Sequence, residues 1–199
     1  MRKLGLLAGV LTADAPNSLS VRVCGEISSE DVGVLKLSAL RGLFSTMTDQ
    51  QVTFVNAPSL AADRGLGTEL STASESPNHR SLVEVKVVAS DGSAVSVSGT
   101  LSGPQEVQKI VAINGRSFDL RAEGMNLILH YGDKPGALGK IGTLLGSAEV
   151  NILAAQMSQD ASGLGATVML RLDRDVPADV RASIGSAVDA GTLEVVDLS

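Results

Sequence analysis

The stretch Asn126-Leu127-Ile128-Leu129-His130-Tyr131-Gly132-Asp133-Lys134-Pro135-Gly136-Ala137-Leu138 decides the fold. Asn126 to Tyr131 reads as a strand, and Pro135 to Ser147 as a helix with Leu138, Ile141, Leu144 and Leu145 on one face. Pro135 suits the first helical position, because its φ is already fixed and its missing N–H costs nothing there. Working outward, Val150 to Ser158 and Ala166 to Asp173 read as strands separated by an Asp160-Ala161-Ser162-Gly163 turn. Pro177 to Val188 reads as a helix and Thr192 to Leu198 as a last strand. The resulting βαββαβ order over residues 125–199 is the split-βαβ arrangement, one sheet with both helices on a single face.

Upstream the pattern differs. A helix is expected from Lys3 to about Thr12, followed by a turn at Asp14-Ala15-Pro16-Asn17. Leu19, Val21 and Val23 then alternate with Ser20, Arg22 and Cys24, the period of a half-buried strand, which puts Cys24 on the polar, partly accessible side. Ser28-Ser29-Glu30-Asp31 reads as a capped helix start, and Val34, Leu35, Leu37, Leu40, Leu43 and Phe44 carry that helix to about Met47. A shorter helix is expected from Pro58 to Gly65, opened by Asn56. From Glu69 the period becomes two. Asp91-Gly92 and Asn114-Gly115 are hairpin dipeptides whose primed turns need positive φ at both positions. The second of them joins strands Val107 to Ile113 and Arg116 to Arg121. Residues 1–122 thus read as an α+β domain with an antiparallel sheet, and Ala122-Glu123-Gly124 reads as the joint to a ferredoxin-like βαββαβ domain at 125–199.

Composition narrows the function. With 16 Lys+Arg against 22 Asp+Glu, a formal charge of −6 and only 2% aromatic residues, the chain lacks the basic clusters and stacking platforms of a nucleic-acid protein. One Cys excludes an intrachain disulfide or a cysteine-rich zinc module, and two His leave little for a His-based metal site. Cys24 has no His or basic residue beside it in sequence to activate it. Met1-Arg2-Lys3 before the apolar run Leu4 to Leu11 imitates a short secretory signal, but Pro16 would directly follow the cleavage point after Ala15. The better reading is a core helix with Met1 a start added to a fragment, in a cytoplasmic chain without a membrane span.

No catalytic centre or cofactor fingerprint is present. Gly139-Lys140-Ile141-Gly142 and Gly65-Leu66-Gly67 lack the G-x-G-x-x-G spacing and its strand-turn-helix setting. Neither G-x-S-x-G, H-E-x-x-H nor C-x-x-C occurs. The chemically suggestive segment is again Tyr131 to Leu138. The N–H groups of Gly136, Ala137 and Leu138 at a helix start would take a carboxylate, and Asp133 beside them would take an ammonium, as a zwitterion requires. The alternative is that Asp133 merely caps the helix and Gly136 lets it pack closely on the sheet.

With Asp133-Lys134-Pro135-Gly136 after its first strand and Val150-Asn151-Ile152 at the start of its second, the βαββαβ unit strongly resembles an ACT domain, an amino-acid-sensing module. End to end, the chain resembles the C-terminal regulatory portion of the long, actinobacterial type of D-3-phosphoglycerate dehydrogenase. The resemblance is carried by Ser38-Ala39-Leu40-Arg41-Gly42-Leu43-Phe44, Val52 to Pro58, Ser74 to Ser81, Gln108 to Val111, Asn114-Gly115-Arg116, Phe118 to Ala122 and Pro135 to Leu145. It implies that residues 1–122 are an intervening, allosteric-substrate-binding domain, and that the NAD-binding and substrate domains lie upstream. It also implies L-serine as feedback effector, bound between ACT domains of two subunits by Tyr131, Asp133, Gly136, Ala137 and Leu138 of one chain and Asn151 of its neighbour, hence a homo-oligomer.

The same resemblance implies an anion site for phosphate or phosphorylated substrate at Lys109, Arg121 and Arg171. Lys109 draws notice independently, because strict alternation would put it on one strand face with Val107, Val111 and Ile113. The chain departs from some relatives at Ser117, where a His can contribute. Asn78, His79 and Arg80 read as a structured loop. Two other readings compete: the regulatory half of an iron–sulfur L-serine dehydratase, whose cluster a single Cys could not hold, and a stand-alone ACT-type assembly module.

Overall fold

Alternation of apolar and polar residues from Leu19 to Val23 builds a strand whose inner side is wholly buried, and the rest of the first unit assembles around it. The computed structural model describes residues 1–76, 78–160 and 163–199. They divide into two units, Met1–Gly115 and Arg116–Ser199. The first contains α1 (Arg2–Leu11), β1 (Pro16–Gly25), a 3-10 turn (Glu26–Ser29), α2 (Gly33–Phe44), α3 (Ala57–Asp63), β2 (Gly67–Ala73), β3 (Ser81–Ala89), β4 (Ala94–Ser102) and β5 (Val107–Ile113).

Its strands are ordered β2-β1-β3-β4-β5. β1 pairs with β3 antiparallel but with β2 parallel, so the sheet is mixed rather than purely antiparallel. The intervening α2 and α3 are the crossover that a parallel pair requires. Val21, Val85, Val97 and Ile113 form one fully or nearly buried row across β1, β3, β4 and β5. Leu4, Leu7 and Ala8 of α1 and Leu40, Leu43 and Phe44 of α2 complete this core. The α1–α2 crossing depends on glycine: a Cβ on Gly42 would stand 2.0 Å from the Arg2 carbonyl oxygen, and one on Gly5 equally close to that of Ala39.

Several local expectations give way to the fold. Pro16 and Asn17 already belong to β1, not to a turn. Cys24 is 6% exposed, because the apolar environment closes over both faces at the end of β1, where it pairs with Leu82 and Ala73. The segment Ser28 to Asp31 does not open α2: Glu26–Ser29 is a 3-10 turn, and Val32 precedes the helix with Asp31 Oδ1 accepting the Gly33 N–H at 3.2 Å. Asn56 does stand before α3, but its Oδ1 accepts from Thr53 instead of capping the helix. At the β3–β4 hairpin only Gly92 has positive φ, and Asp91 Oδ1 accepts the Ser93 N–H instead. Asn114 and Gly115 both have positive φ, as the primed turn demands. Arg80 lies in a structured loop, as expected, with Nε 2.6 Å from Glu26 Oε2 and its carbonyl accepting the Glu26 N–H. Pro77 in that loop, and Ala161 and Ser162 in the turn expected after Asp160, lie outside the described residues.

The second unit holds β6 (Arg116–Arg121), β7 (Met125–Gly132), α4 (Ala137–Ser147), β8 (Ile152–Gln159), β9 (Gly165–Leu172), α5 (Ala178–Val188) and β10 (Ala190–Asp197). Elements β7 to β10 give the βαββαβ order, and the antiparallel sheet runs β10-β7-β9-β8. Leu127, Leu129 and Tyr131 of β7 and Ala166, Val168 and Leu170 of β9 make a core with Ile141 and Leu145 of α4 and Ile184 and Val188 of α5. Both helices therefore cover one face. β6 groups with this unit, where the Asp119 N–H donates to Gln156 Oε1 of β8 and Arg116 pairs with Asp160.

Candidate functional site

Strand β7 delivers Tyr131 into the helix-covered core at 2% exposure. Its hydroxyl donates to Met157 Sδ of β8 at 3.4 Å, and burial together with the nearby Asp133 carboxylate raises the phenol above its ordinary pKa. Two residues on, the chain has left β7 but still follows β9, since the Asp133 N–H donates to the Leu164 carbonyl at 3.0 Å. The Asp133 carboxylate is half-buried, and its Oδ2 accepts from Gln159 Nε2 at the end of β8.

The helix that follows starts later than Pro135. Gly136 precedes it with φ +87, a left-handed conformation available to glycine without strain, and its carbonyl accepts the Lys140 N–H. Pro135 therefore lies in the approaching turn, and the Ala137 N–H is spent on the Lys134 carbonyl at 3.1 Å. No side chain caps α4, so Asp133 is not its cap. Of the expected amides, that of Ala137 is used locally, and Leu138 stands in an uncapped first turn with an exposed side chain.

Asn151 is exposed just before β8. Its N–H donates to Asp173 Oδ1 at 2.9 Å and its carbonyl accepts the Asp173 N–H at 3.1 Å. The Asn151 amide, followed by Arg174, holds the Asp173 carboxylate below its ordinary pKa. The structure thus brings Tyr131 and Asp133 together and keeps Asn151 in a separate clasp at the other end of β8.

The basic residues behave differently. Lys109 is half-buried on β5 in the first unit, opposite Thr100. The β4–β5 register jumps from Ser98↔Ala112 to Gly99↔Ile110, which leaves Val111 as a bulge. That extra residue puts Ile110 on the side of Ile113 and Lys109 on the side of Ala112, so Lys109 does not share its face with Ile113. Arg121 is exposed at the end of β6. Arg171 of β9 is half-buried, with Nη1 on Glu123 Oε1 and a buried Nε without a partner among the described residues. Asn126, paired with Arg171 in the β7–β9 register, is fully buried and gives its Nδ2 to the Glu123 and Gly124 carbonyls.

Two residues escaped sequence reading. Gln159 grips Asp133, and Asp160 gathers Arg116 Nε at 2.5 Å with His130 Nε2 at 3.8 Å. Their only signal was an acidic and an amide side chain at a strand end. Among the described residues, no group of three or more His, Cys, Asp or Glu could hold a metal ion, and no helix is long and apolar enough to cross a membrane.

Residues 1–114 match the protein family described as the D-3-phosphoglycerate dehydrogenase intervening domain. Over 199 residues the chain is 68% identical to a D-3-phosphoglycerate dehydrogenase of Mycobacterium tuberculosis strain H37Rv, covering 100% of this chain and 38% of that protein. It is 66% identical to the corresponding protein of Mycobacterium leprae over 197 residues, covering 99% of this chain and 37% of the relative. The chain therefore spans less than two fifths of the length of these relatives. Among solved structures, a formyltetrahydrofolate deformylase from Pseudomonas syringae pv. tomato is similar at TM-score 0.32 and 16% identity, over 37% of this chain and 27% of the other.

Proposed function

Because the chain belongs to the family of D-3-phosphoglycerate dehydrogenase intervening domains, we propose that it is the regulatory C-terminal portion of an NAD-dependent D-3-phosphoglycerate dehydrogenase, a cytoplasmic oxidoreductase of L-serine biosynthesis. Residues 1–122 serve as the intervening domain and 125–199 as an ACT domain. NAD and the catalytic centre belong to upstream domains. L-serine acts as feedback inhibitor at Tyr131, Asp133, Leu138 and the start of α4, completed by Asn151 of a second subunit in a homo-oligomer. Lys109, Arg121 and Arg171 respond to phosphate or phosphorylated substrate.

The observation that supports this best is the placement of the Asp133 carboxylate beside the uncapped start of α4. An amino acid needs one acceptor for its ammonium and donors for its carboxylate, and this turn offers both. The test is calorimetric titration of the chain with a panel of amino acids. L-serine should bind saturably and above its non-hydroxylated analogues, and light scattering should return at least a dimer. A flat serine titration, or a strict monomer with tight serine binding, removes the reading.

A further inference from the structure

Asp133 is already engaged. Its carboxylate accepts from Gln159 Nε2, and Gln159 reaches it from β8, across β9. The register sets Tyr131, Ala166 and Gln159 in one row. Ala166 has only a methyl group at that crossing, so a glutamine can pass over it to the turn after β7. Beside it Met157, two residues earlier on the same face of β8, accepts from the Tyr131 hydroxyl. Two side chains of β8 thus hold two of the proposed effector-binding residues, Tyr131 and Asp133.

We infer that Gln159 is a built-in competitor for the effector, its carboxamide N–H holding the Asp133 carboxylate until an amino-acid ammonium displaces it. The inference rests on the effector reading above. A carboxamide offers two donors and no charge, an ammonium three donors and a full charge. The ammonium prevails because hydrogen bonds between two ionised groups are stronger than those with a neutral donor. Apparent affinity is nevertheless lowered by the fraction of molecules in which Gln159 occupies the carboxylate. Gln159 is exposed, so water can receive its amide on release and the exchange is reversible.

The test is calorimetry with L-serine on the parent chain, Gln159→Leu, Gln159→Lys and Asp133→Ala. Gln159→Leu removes the competing donor and should bind about threefold to tenfold more tightly, the scale of a hydrogen bond to a charged group with partial exposure. Gln159→Lys sets a cation against Asp133 and should bind at least roughly tenfold more weakly. A Gln159→Leu chain that binds serine like the parent, or more weakly, overturns the competitor role.

The two readings fail separately. In 15N-labelled parent chain, the Gln159 side-chain amide resonance should shift on addition of methylammonium, and should not in Asp133→Ala. If it does so while serine gives no heat, the competitor stands and the serine assignment falls. A Gln159 amide resonance indifferent to methylammonium in the parent overturns the competitor itself.

Discussion

The turn after β7 and the basic set Lys109, Arg121 and Arg171 were singled out for the same reason, charge awaiting a ligand, yet they are built in opposite ways. The turn is local. Tyr131, Asp133 and Gly136 fall within six consecutive residues of one strand-turn-helix, and β8 interlocks with them through Met157 and Gln159. The basic set is dispersed: Lys109 belongs to the first unit, Arg121 and Arg171 to the second, and Arg171 already spends Nη1 on Glu123. A local site is presented whenever its supersecondary unit forms. In the dispersed one, Arg171 must first be released from Glu123.

The sharpest way to break this comparison is Asp133→Ala. Loss of one partner of a charge pair with the ammonium should weaken serine binding by about 2–5 kcal/mol, roughly thirtyfold or more, in calorimetry. The melting temperature should barely move, because Asp133 caps nothing and forfeits only its exposed bond to Gln159. A large drop in melting temperature with serine affinity intact would return Asp133 to a structural role.

Next in size is the response of the basic set. Phosphate at a hundred times its Kd should stabilise the chain by about 2.7 kcal/mol, readable as a rise in melting temperature. Replacing Lys109 and Arg121 together by Ala should abolish that rise; an undiminished response would show that phosphate binds elsewhere. Smaller and opposite in sign, Glu123→Gln should enlarge the response, because it releases Arg171 from its carboxylate partner. A reduced response would mean that Glu123 positions Arg171 instead of competing for it.

Legibility in the sequence followed the same division. The βαββαβ order could be read because each helix and strand carries its own apolar period, and the Asn114-Gly115 turn because both residues must adopt positive φ. The start of α4 was misplaced because Pro135 satisfies the rule for a first helical residue, while the φ of +87 at Gly136 that delays the helix has no separate mark in the chain. Alternation is blind to strand direction, so the parallel β1–β2 pair went unseen, although two intervening helices could have announced it. The face of Lys109 was misjudged because one bulge at Val111 inverts everything beyond it. Gln159 could not be read at all: it lies 26 residues from Asp133, and the methyl group of Ala166 that lets it cross is significant only once the register is known.

The smallest expected effect concerns Asn151, whose clasp with Asp173 titrates. Asp173 has a folded-state pKa lowered by the Asn151 N–H and by Arg174. A lowered carboxylate pKa contributes stability that is fully present above the unfolded value, about 3.9 for aspartate, and is lost as pH falls through the folded value. Between pH 7 and 5 the clasp should therefore be constant, and any pH dependence of serine binding there must come from another group. As pH falls below the unfolded value and through the lower folded one, the Asn151 N–H loses its charged acceptor and the loop before β8 loosens. Asp173→Asn retains an oxygen for that N–H, so it should bind serine nearly as the parent does at neutral pH but with a flatter acid limb. Asp173→Ala loses the acceptor at every pH and should weaken serine a few-fold at most, with Asn151→Ala weaker still if its side chain completes a neighbour's site. Equal serine affinity in all three variants would confine Asn151 to closing its own loop.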